Sequence, residues 1–383
     1  MGCSFSKIYF SKVKQIGNKD NVCHSYLIRS KDDKEEYAYK IIKITDKNIQ
    51  EKDKKKILND LSFLKKMIHP NIILLINAYY SEDKKYLYEI TEYADGGDLQ
   101  TKLNEQKKKK EFFEENTLIE WFMQICLALS FLHKKNIMHR DIRPSNIFVM
   151  KENFAKLGYF GVAKSLTSGL KYTQTRVTTL QYSAPEIINK QKYNNKADIW
   201  SLGVTFYQLV TLNYPFEGKT DEEIENNIKD GKIKEKPKDC PIDPKFIEII
   251  FEMLSVKDDQ RPSAEEILDK ALVKNRMEAY LTGKGFDSEK AFQAIAQYEE
   301  EEEKINRNNN IFVIENENED EFNKIEIKAI YNNDMMMNNN EEKRNKKANY
   351  DLLRQMAIMQ IKIKKCNTLP TNNHKIFKYL NNY

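Results

Sequence analysis

The chain has 383 residues, 40% apolar and 11% aromatic, which is enough for a sizeable core and exceeds one average domain. Its 63 basic and 58 acidic residues leave a net charge of +5, a balance that argues against nucleic acid as a partner and fits a solvated surface laced with ion pairs. Cys3, Cys23, Cys126, Cys240 and Cys366 are scattered without a Cys-x-x-Cys pair, so a reducing intracellular compartment is expected rather than a disulfide framework or zinc site. No apolar run approaches the about 20 residues that span a bilayer, and no secretory apolar region stands near the start.

In chain order, Met1-Gly2-Cys3-Ser4-Phe5-Ser6 comes first and fits M-G-x-x-x-[ST], the N-myristoylation pattern, with Gly2 as acceptor once Met1 is removed. A single myristoyl chain holds a membrane only marginally, so a second anchor is needed. Cys3, beside the acylated glycine, is the candidate for palmitoylation, and Lys7, Lys12 and Lys14 add attraction to anionic lipid. Residues 1–8 are therefore read as an acylation segment that makes a cytoplasmic protein peripheral to the inner membrane surface. Apolar alternation from Ile8 to Ile44, as in Ser25-Tyr26-Leu27-Ile28 and Tyr37-Ala38-Tyr39-Lys40-Ile41-Ile42, predicts antiparallel strands. The spacing of Ile57, Leu61, Leu64 and Ile68 predicts a helix over about Asn48 to Ile68. A second strand pair is expected at Ile72 to Tyr80 and Tyr86 to Tyr93, turning at Ser81-Glu82-Asp83-Lys84. After Gly96-Gly97-Asp98 the pattern turns helical, with long apolar helices at Thr117 to Lys134 and Ala197 to Leu212. Strands first and helices afterwards predict an α+β, two-lobed architecture rather than a βαβ array.

From residue 282 to 383 the composition changes to a low-complexity tail. Glu299 to Glu303 is an unbroken acidic run, and asparagine-rich stretches flank Met335 to Met337. Such sequence buries too little surface to offset chain entropy, so most of the tail is expected to be disordered. Within it, residues 350–365 place Leu353, Met356, Ala357, Gln360 and Ile361 on one side and end in Lys362, Lys364 and Lys365. A basic amphipathic helix of this kind binds a membrane, a calmodulin-like partner or the protein's own folded domain, or remains simply solvated.

Two segments carry the strongest chemical signal, His139-Arg140-Asp141-Ile142-Arg143-Pro144-Ser145-Asn146 and Leu157-Gly158-Tyr159-Phe160-Gly161. With Lys40 before them, and Ala184-Pro185-Glu186, Asp198-Ile199-Trp200-Ser201-Leu202-Gly203 and Arg261 after them, they resemble the eukaryotic protein kinases of the Ser/Thr branch over residues 9–281. The resemblance implies a small antiparallel lobe with one main helix and a larger helical lobe. It implies Asp141 as the base that accepts the substrate hydroxyl proton, Arg143 as a positive charge near the transferring phosphate, and Asn146 as a metal ligand. It implies ATP as nucleotide. Lys40 would contact the α- and β-phosphates, fixed by Asp60, an Asp one methylene shorter than the family's Glu. Ile16 and Gly17 would begin the phosphate-covering loop, which keeps one glycine where the family pattern has three, so close phosphate contact should suffer. Thr91 would control the pocket behind the adenine, and Glu92 and Ala94 would offer backbone groups to the base. In the activation segment, Arg140 would read a phosphate, with Thr175 the favoured modified residue, Thr179 on the substrate side, and Glu186 paired with Arg261. Leu64, Leu75, His139 and Phe160 match the family's apolar column between lobes.

One position departs from the family at its centre. Tyr159 stands where the family's Asp holds the metal that bridges the ATP phosphates. A neutral phenol removes a charged Mg2+ ligand and adds bulk beside the triphosphate. Two functions are therefore expected in competition: a membrane-tethered pseudokinase that acts through an allosteric protein partner, or an active Ser/Thr kinase that transfers the ATP γ-phosphate to a protein substrate with Asp141 as base; nucleotide binding without transfer lies between them.

Overall fold

Alternating apolar and charged residues in the first ninety positions build one sheet, and the computed structural model describes it together with the helical body that follows. The structure describes residues 10–16, 23–31, 34–44, 50–65, 69–81, 83–150, 153–158, 180–234 and 240–283. The chain divides into two units, Met1–Glu278 and Ala279–Tyr383. Of the second, only the end of a helix is described.

Strands β1 (Phe10–Ile16), β2 (Cys23–Ser30), β3 (Glu36–Lys43), β4 (Leu75–Tyr80) and β5 (Tyr86–Glu92) form an antiparallel sheet in the order β1-β2-β3-β5-β4. Helix α1 (Glu51–Lys65) crosses one face. There Ile57 and Leu61 pack on Ile42, Leu75 and Leu87, all buried, so the period-2 pattern of the strands meets the period-3.6 pattern of the helix. The opposite face carries tyrosines in place of aliphatics. Tyr88 stacks with Tyr39 and Tyr86 and tilts against Tyr79, at ring-centroid distances of 5.7, 6.4 and 5.3 Å.

The expected strand from Ile72 begins at Leu75 instead, because the preceding residues serve another element. Ile72 forms a parallel bridge with Leu157, and Ile73 N–H donates to the Leu157 carbonyl at 2.9 Å. The expected helix from Asn48 to Ile68 is described as Glu51–Lys65.

Past the sheet, Gly96-Gly97-Asp98 docks the chain on the second lobe. Gly97 has φ +72, and an added Cβ on Gly96 would lie 2.6 Å from the Val149 carbonyl oxygen, so both positions favour glycine. Asp98 then caps α2 (Leu99–Lys109) by accepting from Thr101 N–H at 2.8 Å. Helix α3 (Glu115–Lys134) is apolar on nearly every side and lies at the centre of this lobe. The two-stranded ribbon β6 (Ile147–Met150) and β7 (Phe154–Leu157) follows. Beyond it come α4 (Pro185–Ile188), α5 (Lys196–Thr211), α6 (Asp221–Lys229), α7 (Pro244–Met253), α8 (Ala264–Asp269) and α9 (Ala271–Gly283). Phe122 of α3, Phe206 of α5 and Phe246 of α7 meet edge to face, with centroids 4.9 Å and 5.2 Å from Phe122. Phe122→Ala should therefore open a cavity where three helices meet and lower the unfolding free energy by about 3–5 kcal/mol in chemical denaturation.

Candidate nucleotide and phosphotransfer site

The loop that carries Asp141 is shaped from below by one carboxylate. Asp198, in the first turn of α5 and 3% exposed, accepts from the backbone N–H groups of His139 and Arg140, each at 2.8 Å. It also accepts from His133 Nε2 at 3.0 Å. These bonds hold Arg140 at φ +66, a left-handed conformation that a non-glycine residue adopts only under constraint. The Arg140 side chain is consequently exposed beside the loop.

His139 links that loop to the segment in front of Tyr159. Its Nδ1 accepts from Asp141 N–H at 3.3 Å, which leaves Nε2 as the proton-bearing nitrogen, donating to the Gly158 carbonyl at 2.8 Å. Gly158 N–H donates in turn to the Asn146 carbonyl at 2.7 Å. No larger residue fits at 158, since a Cβ there would lie 2.4 Å from the Phe148 ring.

The three candidate catalytic residues converge. Asn146 sits at the end of a short 3-10 turn begun by Pro144. Its Nδ2 donates to the Asp141 backbone carbonyl at 2.7 Å and to Asp141 Oδ2 at 2.8 Å. Arg143 Nε lies 3.5 Å from Asp141 Oδ1. Asp141 is thus fixed on both carboxylate oxygens, and the orientation of Asn146 leaves its carboxamide oxygen as the atom able to meet a cation.

On the sheet side, Lys40 of β3 pairs directly with Glu89 of β5, and Ala38 with Thr91. Thr91 is buried and its hydroxyl donates to the Glu92 carbonyl at 3.0 Å. Ala94 is buried, and its N–H has no protein acceptor among the described residues, as an adenine contact would need. The expectation for Glu92 concerned only its backbone, whereas the structure employs its side chain. The Glu92 carboxylate accepts from Leu74 N–H at 2.7 Å and from Lys156 Nζ at 2.8 Å on both oxygens, tying β5 to β7. That contact joins residues 64 apart in sequence, and no motif announced it. Glu89 was also missed, though a lone acid in the apolar run Leu87-Tyr88-Glu89-Ile90-Thr91 was the available signal.

Ile16 closes β1 opposite Ser25. Gly17 and the rest of the phosphate-loop candidate lie outside the described residues, as do Gly2, Cys3, Tyr159, Phe160, Thr175, Thr179 and the segment 350–365. The side chains of Asp60 and Leu64 are likewise outside them, though α1 includes both positions. Of the apolar column, Leu75 and His139 are buried.

Below the site, Glu186 and Arg261 meet as expected, in a bidentate pair with both N–O distances 2.8 Å. Arg261 also donates to the carbonyls of Ser255, Val256 and Lys196, and its guanidinium lies 4.9 Å from the centre of the Trp200 ring. Tyr182, just before α4, donates its hydroxyl to Gln208 Oε1 at 2.7 Å. Burial pushes that phenol well above its ordinary pKa and keeps it a neutral donor.

This geometry agrees with comparison to known proteins. Residues 10–273 match the protein kinase domain, and the chain belongs to that family, in its Ser/Thr branch. Among curated relatives, the serine/threonine-protein kinase Nek5 of Homo sapiens is 36% identical over 263 residues, covering 67% of this chain and 36% of the relative. Nek1 of Mus musculus is 32% identical over 277 residues, covering 71% of this chain and 22% of the relative. Nek2 of Homo sapiens is 33% identical over 231 residues, covering 59% and 52% respectively. The chain therefore spans between 22% and 52% of the length of these relatives. The family as a whole uses ATP and Mg2+ and acts on proteins.

Because Glu186 is buried, Arg261→Ala should leave its carboxylate without a countercharge and cost about 3–5 kcal/mol in denaturant unfolding. Arg261→Lys, which cannot reproduce the fork, should lose less than Arg261→Ala but remain below wild type.

Proposed function

We propose that the chain binds adenine nucleotide and a protein partner at the cytoplasmic membrane surface, with phosphate transfer impaired. The observation that carries this reading is Tyr159 at the position of the metal-holding Asp. A phenol with an ordinary pKa of about 10 is neutral at pH 7, and Mg2+ prefers anionic oxygens in an octahedral set.

The residues fit a nucleotide better than they fit the metal. Among the described residues no group of three His, Cys, Asp or Glu could hold an ion. Asn146 offers a neutral oxygen, and Asp141, the carboxylate beside it, is engaged by Asn146 Nδ2 and faced by Arg143. That set does not suit Mg2+. The adenine contacts have better support, from the Ala94 N–H and the second lone pair of the Glu92 carbonyl. Lys40 supplies a point charge for phosphate. Asp141 stands ready to accept a hydroxyl proton and Arg143 to neutralise developing charge. Loss of one well-placed electrostatic contact commonly lowers rate by about 10²–10³.

A second reading, an active Ser/Thr kinase, is favoured by one observation. Asp141, Arg143 and Asn146 are held together as a transfer reaction would require. Thermal melting separates the two readings. Wild type should gain stability from ATP with little added effect of Mg2+, while Tyr159→Asp should acquire an Mg2+-dependent shift and raised phosphotransfer. Brisk transfer by wild type, unchanged in Tyr159→Asp, would sink the impaired reading.

Membrane attachment rests on Gly2 and Cys3 within the acylation pattern. No helix among the described residues is long and apolar enough to cross a membrane, so attachment in this reading falls to the lipids. Gly2→Ala should move the protein from the membrane pellet to the supernatant on cell fractionation. Wild type found wholly in the supernatant would count against anchoring.

A further inference from the structure

Glu89 is a carboxylate in the middle of an apolar strand and only 1% exposed. The register fixes where it points. Leu87, Glu89 and Thr91 share one face of β5, and Leu87 packs in the cluster with Ile57 and Leu61 of α1. On β3, Ile42 pairs with Leu87 and Lys40 with Glu89, so Lys40 and Glu89 are side-by-side neighbours on the α1 face. Directly opposed residues of antiparallel strands have Cβ atoms about 4.5–5.5 Å apart. On the other side Glu89 pairs with Ala78 of β4, whose methyl group offers no polar partner. One carboxylate oxygen, Oε2, has no hydrogen-bond partner among the described residues.

A buried acid with an unsatisfied oxygen is costly unless a charge compensates it. Burial pushes the Glu89 carboxyl above the usual range, and the Lys40 ammonium draws it back. A hydrocarbon here would pack against α1 as Leu87 does, so sheet packing alone does not call for an acid.

We propose that Glu89 is a positioning residue for Lys40, a carboxylate supplied by the sheet that fixes the ammonium toward the phosphates of a bound nucleotide. It rests on the nucleotide-binding part of the proposed function. The arrangement differs from one in which a helix residue alone fixes the lysine. A strand neighbour is held by the backbone ladder and keeps its place however α1 sits.

Two measurements on the full chain test this. The first is a double-mutant cycle in thermal stability with Lys40→Met, Glu89→Leu and both together. Lys40→Met alone should strand the buried acid and lower the melting temperature, and adding Glu89→Leu should restore much of the loss. Strictly additive shifts would overturn the pairing. The second compares ATP with adenosine binding in EDTA, so that Mg2+ plays no part. Glu89→Gln should weaken ATP about tenfold, equivalent to about 1.4 kcal/mol, and leave adenosine binding unchanged, with Glu89→Asp recovering part of the loss. Unchanged or tighter ATP binding in Glu89→Gln, where Lys40→Met weakens it, would show that Glu89 merely neutralises the lysine and would overturn the positioning role. If Lys40→Met itself leaves ATP binding unchanged, the positioning role falls together with the phosphate role of Lys40, while the stability cycle still decides whether the two side chains are paired.

Discussion

The geometry of the site depends on one buried carboxylate beneath the loop. Asp198 satisfies the N–H groups of two successive residues, and those two bonds require the chain to turn through Arg140 at positive φ. A left-handed non-glycine residue costs about 1–2 kcal/mol. Hydrogen bonds to a charged group contribute about 1.5–3 kcal/mol each, so the strained turn is held rather than merely tolerated. Once it is set, His139 points inward to Gly158, Arg140 points outward, and Asp141 falls within reach of Asn146. The shape of this loop is therefore a consequence of α5.

A second set of contacts joins sheet and helices through β7. Asn71 Nδ2 donates to the Ala155 carbonyl at 2.9 Å, its own carbonyl accepts from Leu157 N–H at 2.7 Å, and Ile73 returns a bond to Leu157. The Glu92–Lys156 pair fastens the adjoining end of β5 to the same ribbon. These ties surround the place where adenine would lie. Because one of them is a largely buried, doubly bonded ion pair, movement of β5 relative to β7 is restrained more strongly than backbone bonds alone would achieve.

How much of this was legible depended on whether the information was local. Asp141, Arg143 and Asn146 lie within six residues of each other, and the structure brings their side chains together. The period of the apolar residues likewise gave α1, α3 and α5 to within a few residues. Longer-range chemistry was hidden. The side chain of Glu92 meets Lys156 only after the lobes have folded together, and the significance of Glu89 depends on the register between β3 and β5, which alternation alone does not determine. Helices α6, α7 and α8 run only nine, ten and six residues, shorter than the window over which apolar spacing distinguishes a helix. Ile72 and Ile73 were read as strand since their composition suits one, yet tertiary pairing with Leu157 overrides that propensity.

The distribution of intact and altered positions has a physical logic. Glu186, Arg261, Asp198 and Gly158 each answer a demand of folding, because removing any one leaves a buried charge, a buried donor or a steric clash. Tyr159 and the single-glycine loop are departures of another kind, read from the sequence. Their family counterparts, a metal-binding acid and two further glycines, serve a ligand and add nothing to the empty fold; extra glycines even raise its conformational entropy cost. A chain can therefore lose the phosphate-side chemistry while keeping the scaffold at full stability. Glu89 runs against that logic, since a buried acid opposite Lys40 burdens the fold without aiding its packing. Such a residue makes physical sense in the proposed reading, where the lysine still has a phosphate to hold.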